Sequence, residues 1–270
     1  MKKVIARFLI LAAAFLCLQQ PGTATAAATL TNPARIGSFT YFDMNNDGLN
    51  EKIGIFPNIS GGILEGYTIR ANDVQVLEEK ISSKKNCSGI DALTIDTDSK
   101  DGYTDLYIAQ FNEKGYFDGN VYRYDGKKLK KIYNLKNVMK LSVNPTLAHE
   151  QPGNGKIRFC VPGYPVGKNT RLGEYEVYMD FKISDGKISC TDTVYRTTDD
   201  YQVKSCLEAY RSFKVYKDQA QKKRSYTIKA GEKFTVTKLV TKKGKIVRLR
   251  IKNNAGKTGW VNAPTKKWVK

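Results

Sequence analysis

The chain is organised around the segment Asp43-Met44-Asn45-Asn46-Asp47-Gly48-Leu49-Asn50-Glu51. Oxygen-bearing side chains stand at positions one, three, five and nine of this segment, and a glycine stands at position six. A hard cation such as Ca²⁺ takes six to eight oxygen ligands at about 2.3–2.6 Å, and this spacing supplies them. Gly48 permits the sharp turn, because glycine adopts positive φ without steric cost. The segment therefore predicts a calcium loop, and an Asx-rich turn held by local hydrogen bonds is the alternative.

The same pattern recurs further along the chain, in a looser copy from Asp96 to Asp105 and a degraded one at Gly153-Asn154-Gly155. The interval is 53 residues from Asp43 to Asp96, and it is again 53 residues from Gly102 to Gly155. Short β-branched or aromatic runs between the copies are typical of strands. A fixed period of this length indicates stacked or radially arranged units. Each unit supplies a loop and several short strands, as a propeller blade does.

Residues 38–196 resemble FG-GAP/VCBS-type repeats, in which an acidic loop joins the first two strands of a blade and binds calcium. The resemblance implies an all-β fold with a partial, propeller-like domain of three repeats. It also implies calcium held by the side chains at loop positions one, three, five and nine and by the backbone carbonyl after the glycine. The implied metal ligands are Asp43, Asn45, Asp47, Leu49 and Glu51 in the first loop, and Asp96, Asp98, Asp101, Tyr103 and Asp105 in the second. The third copy has no acidic ligand set, and the expected role of the metal is to stabilise the fold.

The first 28 residues have the pattern of a secretory signal peptide. A basic start at residues 1–7 precedes an apolar run at residues 8–18, and small residues at 24–28 fit a cleavage site. The apolar run is too short to span a bilayer as a stable anchor. The sequence therefore predicts an exported protein, extracellular or associated with the cell wall, without stable membrane insertion.

Removal of this segment would leave four cysteines, Cys87, Cys160, Cys190 and Cys206. In an oxidising compartment an even number of cysteines suggests disulfides, and four of them allow three connectivities. Cys160 and Cys190 both lie in strand-like segments, which makes them candidates for a cross-strand pair. The lone His149 and Cys87 form no recognisable nucleophile motif, so neither is predicted to be catalytic.

Charge is distributed unevenly along the chain. From residue 211 to the C-terminus there are 19 Lys and Arg against two Asp and Glu, a net charge of +17. Residues 29–210 hold 23 basic and 24 acidic side chains and are nearly neutral. The change predicts a domain boundary near residues 205–212, with a linker at residues 197–211 in which Val203, Leu207 and Tyr210 have near-helical spacing. A basic segment attracts polyanions such as wall polymers, membrane surfaces or nucleic acid.

Residues 212–270 resemble a bacterial SH3-like domain. The similarity rests on the turn Ala230-Gly231-Glu232, the period-two strand from Val247 to Ile251 and the run from Asn254 to Val261. It implies a small β-barrel and association with the cell wall. Basic side chains alternate along the strand and would form a stripe on one face, whereas Trp260 is expected to pack in a core. The predicted ligand-binding residues are Tyr226, Arg248, Arg250, Lys252 and Trp268.

No motif for nucleophilic, metal-dependent or phosphate-transfer chemistry occurs in the sequence, and no catalytic residue is predicted. The sequence favours an exported, non-enzymatic binding protein. In it, calcium-stabilised β repeats carry a basic module for cell-wall polymer or peptidoglycan. An extracellular hydrolase, or an inhibitor of one, that uses the basic module for targeting is the alternative. Nucleic acid is not the predicted partner, because that role conflicts with export.

Overall fold

The computed structural model describes residues 39–141, 144–163, 175–184, 187–204, 206–243 and 245–263. In these residues the chain forms four antiparallel sheets, with two short α-helices and one short 3-10 helix. The all-β fold predicted from the short alternating runs is therefore confirmed. The predicted signal peptide at residues 1–28 lies outside the described residues.

The first sheet is a four-stranded meander in which each strand pairs with the next. Its strands are β1 (Phe39–Phe42), β2 (Glu51–Ser60), β3 (Ile63–Ala71) and β4 (Val74–Lys80). Two-residue turns at Gly61-Gly62 and Asn72-Asp73 join the last three strands, and all four turn residues have positive φ. Glycine, asparagine and aspartate suit such turns, so the local sequence sets these hairpins. A 3-10 helix at Ser83–Lys85 leads to the next sheet.

The second and third sheets repeat the four-stranded order of the first. The second sheet contains β5 (Gly89–Ile95), β6 (Asp105–Asn112), β7 (Gly115–Tyr124) and β8 (Leu129–Asn134). Helix α1 (Lys136–Met139) precedes the third sheet, which contains β9 (Thr146–Leu147), β10 (Lys156–Pro162), β11 (Glu176–Ser184) and β12 (Lys187–Ser189). In every case the repeated loop segment lies between the first and second strands of its sheet.

The fourth, C-terminal sheet has seven strands in the order β13-β17-β18-β19-β15-β16, and β14 also pairs with β17. The strands are β13 (Val194–Arg196), β14 (Leu207–Glu208), β15 (Phe213–Tyr216), β16 (Arg224–Ile228), β17 (Lys233–Lys242), β18 (Lys245–Asn253) and β19 (Thr258–Asn262). Helix α2 (Asp199–Lys204) lies between β13 and β14. Within the described part of the chain these strands do not close into the expected barrel.

The expected linker at residues 197–211 needs correction. Strand β14 lies inside it, and β13 lies directly before it. Both strands pair with β17, so the C-terminal sheet begins at Val194 rather than near residue 212. These pairings join residues 25 or more positions apart, which a local charge count does not detect.

Two clusters of buried apolar side chains hold the sheets together. The first core lies between the first and second sheets and includes Ile55, Ile69 and Leu106. The second core joins the second, third and C-terminal sheets and includes Tyr107 and Phe159. Successive residues of β6 point to opposite faces, so Leu106 enters the first core and Tyr107 the second. The second sheet is therefore buried on both faces, and apolar residues run almost continuously along β6.

Candidate functional sites

The first acidic loop brings three carboxylates together. Asp43, Asp47 and Glu51 each offer one oxygen, and these atoms all lie within 4.8 Å of one another. Glu51 is the first residue of β2 and only 4% exposed, whereas Asp47 is exposed at the loop tip. In the described residues no other group of three Asp, Glu, His or Cys side chains brings its ligand atoms this close.

Backbone N–H groups shape this loop. The N–H groups of Asp47 and Gly48 donate to the two carboxylate oxygens of Asp43 at 3.2 and 2.9 Å. The N–H of Leu49 donates to Asp47 Oδ1 at 2.8 Å, and the N–H of Met44 donates to Glu51 Oε2 at 2.8 Å. These bonds are those of an Asx-rich turn, the alternative interpretation of the segment. They orient the carboxylates without neutralising them.

The donor set of the first loop has the chemistry that calcium takes. Asn45 lies among the carboxylates, because its amide donates to Asp47 Oδ2 at 3.0 Å and its carbonyl accepts from the Asp47 N–H at 3.2 Å. Leu49 is 71% exposed, and the ligand predicted from this residue is its backbone carbonyl. Across the described residues no Lys or Arg nitrogen lies within 4.0 Å of the three carboxylates. A group of oxygen ligands that no Lys or Arg side chain neutralises fits a hard divalent cation.

The second loop is built differently, because an arginine enters it from β7. Arg123 donates from Nε to Asp105 Oδ1 at 2.7 Å and from Nη2 to Asp105 Oδ2 at 3.0 Å. Its Nη1 lies 2.8 Å from Asp101 Oδ2. The guanidinium also stacks 4.7 Å from the ring centre of Tyr103. Three of the five predicted ligands of the second loop therefore contact Arg123.

The two remaining predicted ligands of the second loop lie apart from this contact. Asp98 Oδ1 accepts from the N–H of Lys100 at 3.2 Å. Burial, followed by the negative charges of Asp101 and Asp105, raises the pKa of Asp96. One oxygen of Asp96 is buried without a hydrogen-bond partner. The carboxylates of the second loop do not converge as those of the first loop do. The guanidinium of Arg123 lies where a metal ion would neutralise Asp101 and Asp105. The second loop as it stands does not fit a metal ion.

The repeated loops stack on one another along one side of the molecule. The N–H of Thr104, just before β6, donates to the carbonyl of Met44 in the first loop at 3.1 Å. The N–H of Gly155, just before β10, donates to the carbonyl of Thr97 in the second loop at 2.9 Å. In both contacts the acceptor is position two of a loop and the donor precedes the second strand of the next sheet. This repetition indicates that the loops are equivalent parts of successive units.

A basic face on the C-terminal sheet is the second candidate site. Arg250 on β18 pairs with Lys238 on β17 and with Trp260 on β19, so the three side chains share one face of the sheet. Arg248 and Lys252 alternate with buried residues on the same strand and lie on that face as well. We refer to Lys238, Arg248, Arg250, Lys252 and Trp260 as the basic face. The predicted stripe is therefore present, and Lys238 extends it onto the neighbouring strand.

The predicted core position of Trp260 is wrong. Trp260 is only partly buried, and the next residue, Val261, pairs with Leu249 and lies in the second core. Adjacent residues of a strand point to opposite faces, which places Trp260 beside the arginines. Lys238 and Trp260 are thus the members of the face that sequence reasoning missed.

Carboxylates do not neutralise the basic face. In the described chain no Asp or Glu oxygen lies within 4.0 Å of the cationic nitrogens of its four basic residues. The contacts of Arg248 and Arg250 are instead neutral. Arg250 donates to Thr258 Oγ1 at 3.1 Å, and Arg248 donates to the carbonyl of Gln219. The positive charge of the face is therefore available to an external anion.

The structure separates Tyr226, one of the two aromatic ligand candidates, from this face. Tyr226 pairs with the buried Val215, packs against the second core, and donates from its hydroxyl to the carbonyl of Lys257 at 2.9 Å. It therefore lies on the core side of the C-terminal sheet. Trp268, the other candidate, falls outside the described residues.

The predicted cross-strand pair of Cys160 and Cys190 is wrong. Cys160 on β10 pairs with Tyr178 on β11, whereas Cys190 follows β12 on the far side of β11. Two inter-strand spacings of about 4.8 Å separate them, and a disulfide requires Cα atoms within about 7 Å. All four described cysteines are free thiols. Cys87 is buried in the first core, whereas His149 is exposed.

A groove outside the acidic loops holds a group of carboxylates. It has a volume of about 410 Å³ and is lined by residues of β3 and β4, among them Glu65, Glu78 and Glu79. Glu79 accepts from the hydroxyl of Tyr122 and from Lys131 Nζ, both at 3.4 Å. This groove is where the hydrolase alternative would place a carboxylate.

No protein-family model matches the chain, and neither a curated protein nor a solved structure is significantly similar to it. The resemblances to FG-GAP/VCBS repeats and to SH3-like domains therefore rest on the motifs alone. The described helices are all too short to cross a membrane.

Proposed function

We propose that the chain is an exported, non-enzymatic binding protein whose basic face associates with an anionic polymer of the bacterial cell wall. The observation that supports this most directly is the basic face, four cationic side chains and a tryptophan with no acidic partner among the described residues. The surrounding segment has a net charge of +17 from residue 211 onward. Such an excess of one sign repels itself in the compact state and attracts a polyanion.

The chemistry of the face suits phosphate or carboxylate groups. A guanidinium presents several N–H donors in a planar fork that matches such groups. Residues two apart on β18 are about 7 Å apart, so Arg248, Arg250 and Lys252 can contact successive charges of an extended polymer. Trp260 offers an apolar surface beside them. The pattern of a signal peptide at residues 1–28 favours a wall polymer over nucleic acid.

In this proposal the first loop binds one calcium ion through Asp43, Asn45, Asp47 and Glu51. The ion would neutralise the three carboxylates and connect the end of β1 to the start of β2. Because a metal that binds only the folded state adds to its stability, the role is structural. The three equivalent four-stranded sheets support an incomplete propeller-like arrangement. The strands β15–β19 support the SH3-like resemblance of the C-terminal sheet, in an open form.

The experiment is a pull-down of the full-length chain with purified bacterial cell walls at low and high salt. We expect binding at low salt that weakens as salt screens the charges. The double variant K238Q/R250Q should lose most of the binding. The control K80Q/K84Q removes the same charge from two exposed lysines, one at the end of β4 and one in the 3-10 helix. It should bind cell walls as the original chain does. Equal binding by both variants, or no binding at low salt, would overturn the proposal. Release by DNA but not by wall polymer would favour nucleic acid.

The carboxylate-lined groove keeps the extracellular hydrolase as a second candidate function. Incubation of the protein with wall glycans tests it, because a hydrolase shortens the glycan chains. Turnover that is lost in E79Q and retained in D47N would support the hydrolase. The absence of turnover leaves the binding function as the proposal.

A further inference from the structure

We propose that Arg123 is the resident cation of the second acidic loop, so that the chain has one calcium-binding loop rather than two. The guanidinium takes the position in which a metal ion would neutralise the loop. The count of one rests on the proposed calcium site of the first loop, whereas the role of Arg123 rests on its own contacts.

All three guanidinium nitrogens of Arg123 contact the loop. Two parallel hydrogen bonds join it to Asp105, which is fully buried, and a third contact joins it to Asp101. The hydroxyl of Thr97 donates to Asp105 Oδ2 at 2.5 Å, so that carboxylate is satisfied within the protein. The ring of Tyr103 covers the guanidinium. Paired hydrogen bonds of this kind fix a guanidinium in direction as well as in charge.

The first sheet offers no residue that could act in the same way. Glu51 and Asp105 are equivalent, since each ends its loop and begins the second strand of its sheet. In the first sheet Lys52 lies opposite Asn72, as two hydrogen bonds of 2.9 Å between them show. The residue after Asn72 is Asp73, a turn residue that pairs with Lys52 Nζ at 3.0 Å. An acidic residue therefore stands where the second sheet has Arg123.

A divalent cation and Arg123 exclude each other at the second loop. A guanidinium does not lose its proton in proteins. A metal ion bound to Asp101 and Asp105 would lie against a positive charge with no route to discharge it. The second loop is thus closed by a side chain that is always present, whereas the first loop depends on an ion from the medium.

This difference follows the position of the two loops. The second sheet is buried on both faces at the centre of the stack, and its loop is assembled whatever the calcium concentration. The first sheet stands at the end of the stack, and only its loop would respond to calcium. The proposal therefore confines calcium sensitivity to one end of the molecule.

Isothermal titration calorimetry of the full-length chain with calcium alone tests the proposal. We expect one equivalent for the original chain, none for D47N and one for D101N. Two equivalents for the original chain, with one for D101N, would overturn the role of Arg123. No binding by the original chain would instead sink the calcium site of the first loop.

The variant R123Q supplies a second, independent readout. It leaves the carboxylates of the second loop without a cation, so we expect it to bind one more equivalent of calcium than the original chain. R123K keeps the charge and should show no gain. A folded R123Q that gains nothing would contradict the proposal, and if R123Q fails to fold, the comparison of D101N with the original chain decides.

Discussion

Removal of Arg123 should destabilise the protein far more than removal of a similar arginine in the third sheet. Arg123 and Arg158 make the same paired contact with an aspartate, at 2.7 and 3.0 Å to Asp105 and at 2.6 and 2.9 Å to Asp180. The two pairs differ in burial, because the side chain of Asp105 is 0% exposed and that of Asp180 is 22% exposed. The comparison of R123Q with R158Q therefore measures chiefly the effect of burial, together with the additional contact of Arg123 with Asp101.

The size of the difference follows from the charge that each variant leaves behind. Breaking a buried ion pair by removing one partner costs about 3–5 kcal/mol, since the other charge stays desolvated. A pair that water reaches contributes about 1 kcal/mol or less. For a chain of this size 1 kcal/mol shifts the unfolding temperature by about 2–4 °C. We expect R123Q to unfold about 6–20 °C below the original chain and R158Q at most about 4 °C below it.

Thermal and urea unfolding followed by circular dichroism, both in chelator, would measure these shifts. Chelator is needed because calcium could occupy the second loop of R123Q and mask the loss. The double variant R123Q/D105N should recover more than half of the deficit, because it leaves no buried charge. Equal losses in R123Q and R158Q, or no recovery in the double variant, would refute the argument from burial.

Three further outcomes are expected. Calcium at 100 times its Kd should stabilise the chain by about 2.7 kcal/mol, which raises the unfolding temperature by about 5–11 °C. D47N should remove this rise, and an unfolding midpoint that is the same in calcium and in chelator would exclude the site. Burial raises the pKa of Cys160 and of Tyr226 to about 12 in each case, so both groups stay protonated in the fold while the unfolded chain ionises them. The urea midpoint should therefore fall as pH rises from about 9 to about 11, and less steeply in Y226F. A maleimide should label the exposed Cys206 in the native state and the buried Cys87 only after unfolding, whereas a thiol count below four in the unreduced, unfolded chain would reveal a disulfide.

Local patterns in the sequence predicted much of the architecture. The loop at Asp43–Glu51 and its looser copy at Asp96–Asp105 are short-range features, so spacing and residue type predicted them. Alternation along β18 likewise predicted which basic residues share a face. These are features in which neighbouring residues determine their own conformation.

The position of Arg123 depends on a register that the sequence does not reveal. Asn112 pairs with Gly115 at the hairpin turn, but the pairing shifts between Gln110 and Phe111. Without this β-bulge, counting from the turn would place Tyr122 rather than Arg123 opposite Asp105. A shift of one residue exchanges the two faces of a strand, so the partner of the second loop could not be derived by counting.

The remaining errors arose from long-range pairing and from neighbouring apolar residues. Nothing local in the predicted linker indicates that β14 pairs with β17. Trp260 and Val261 are adjacent and both apolar, so alternation alone does not decide which of them faces the core. The pairing of Val261 with Leu249 decides it, and that contact exists only in the folded sheet.

The two separate cores make the chain behave as a linear array in which each sheet is held by its neighbours. In such an array stability is close to a sum of nearest-neighbour contacts, and the end units fray before the centre. Among the described residues the first sheet packs through the first core, while the second core spans the other three sheets. Amide hydrogens of the first sheet should therefore exchange earliest. A calcium ion at its loop would stabilise the least stable unit of the array. Calcium would then reduce how often this end opens, in addition to stabilising the whole fold.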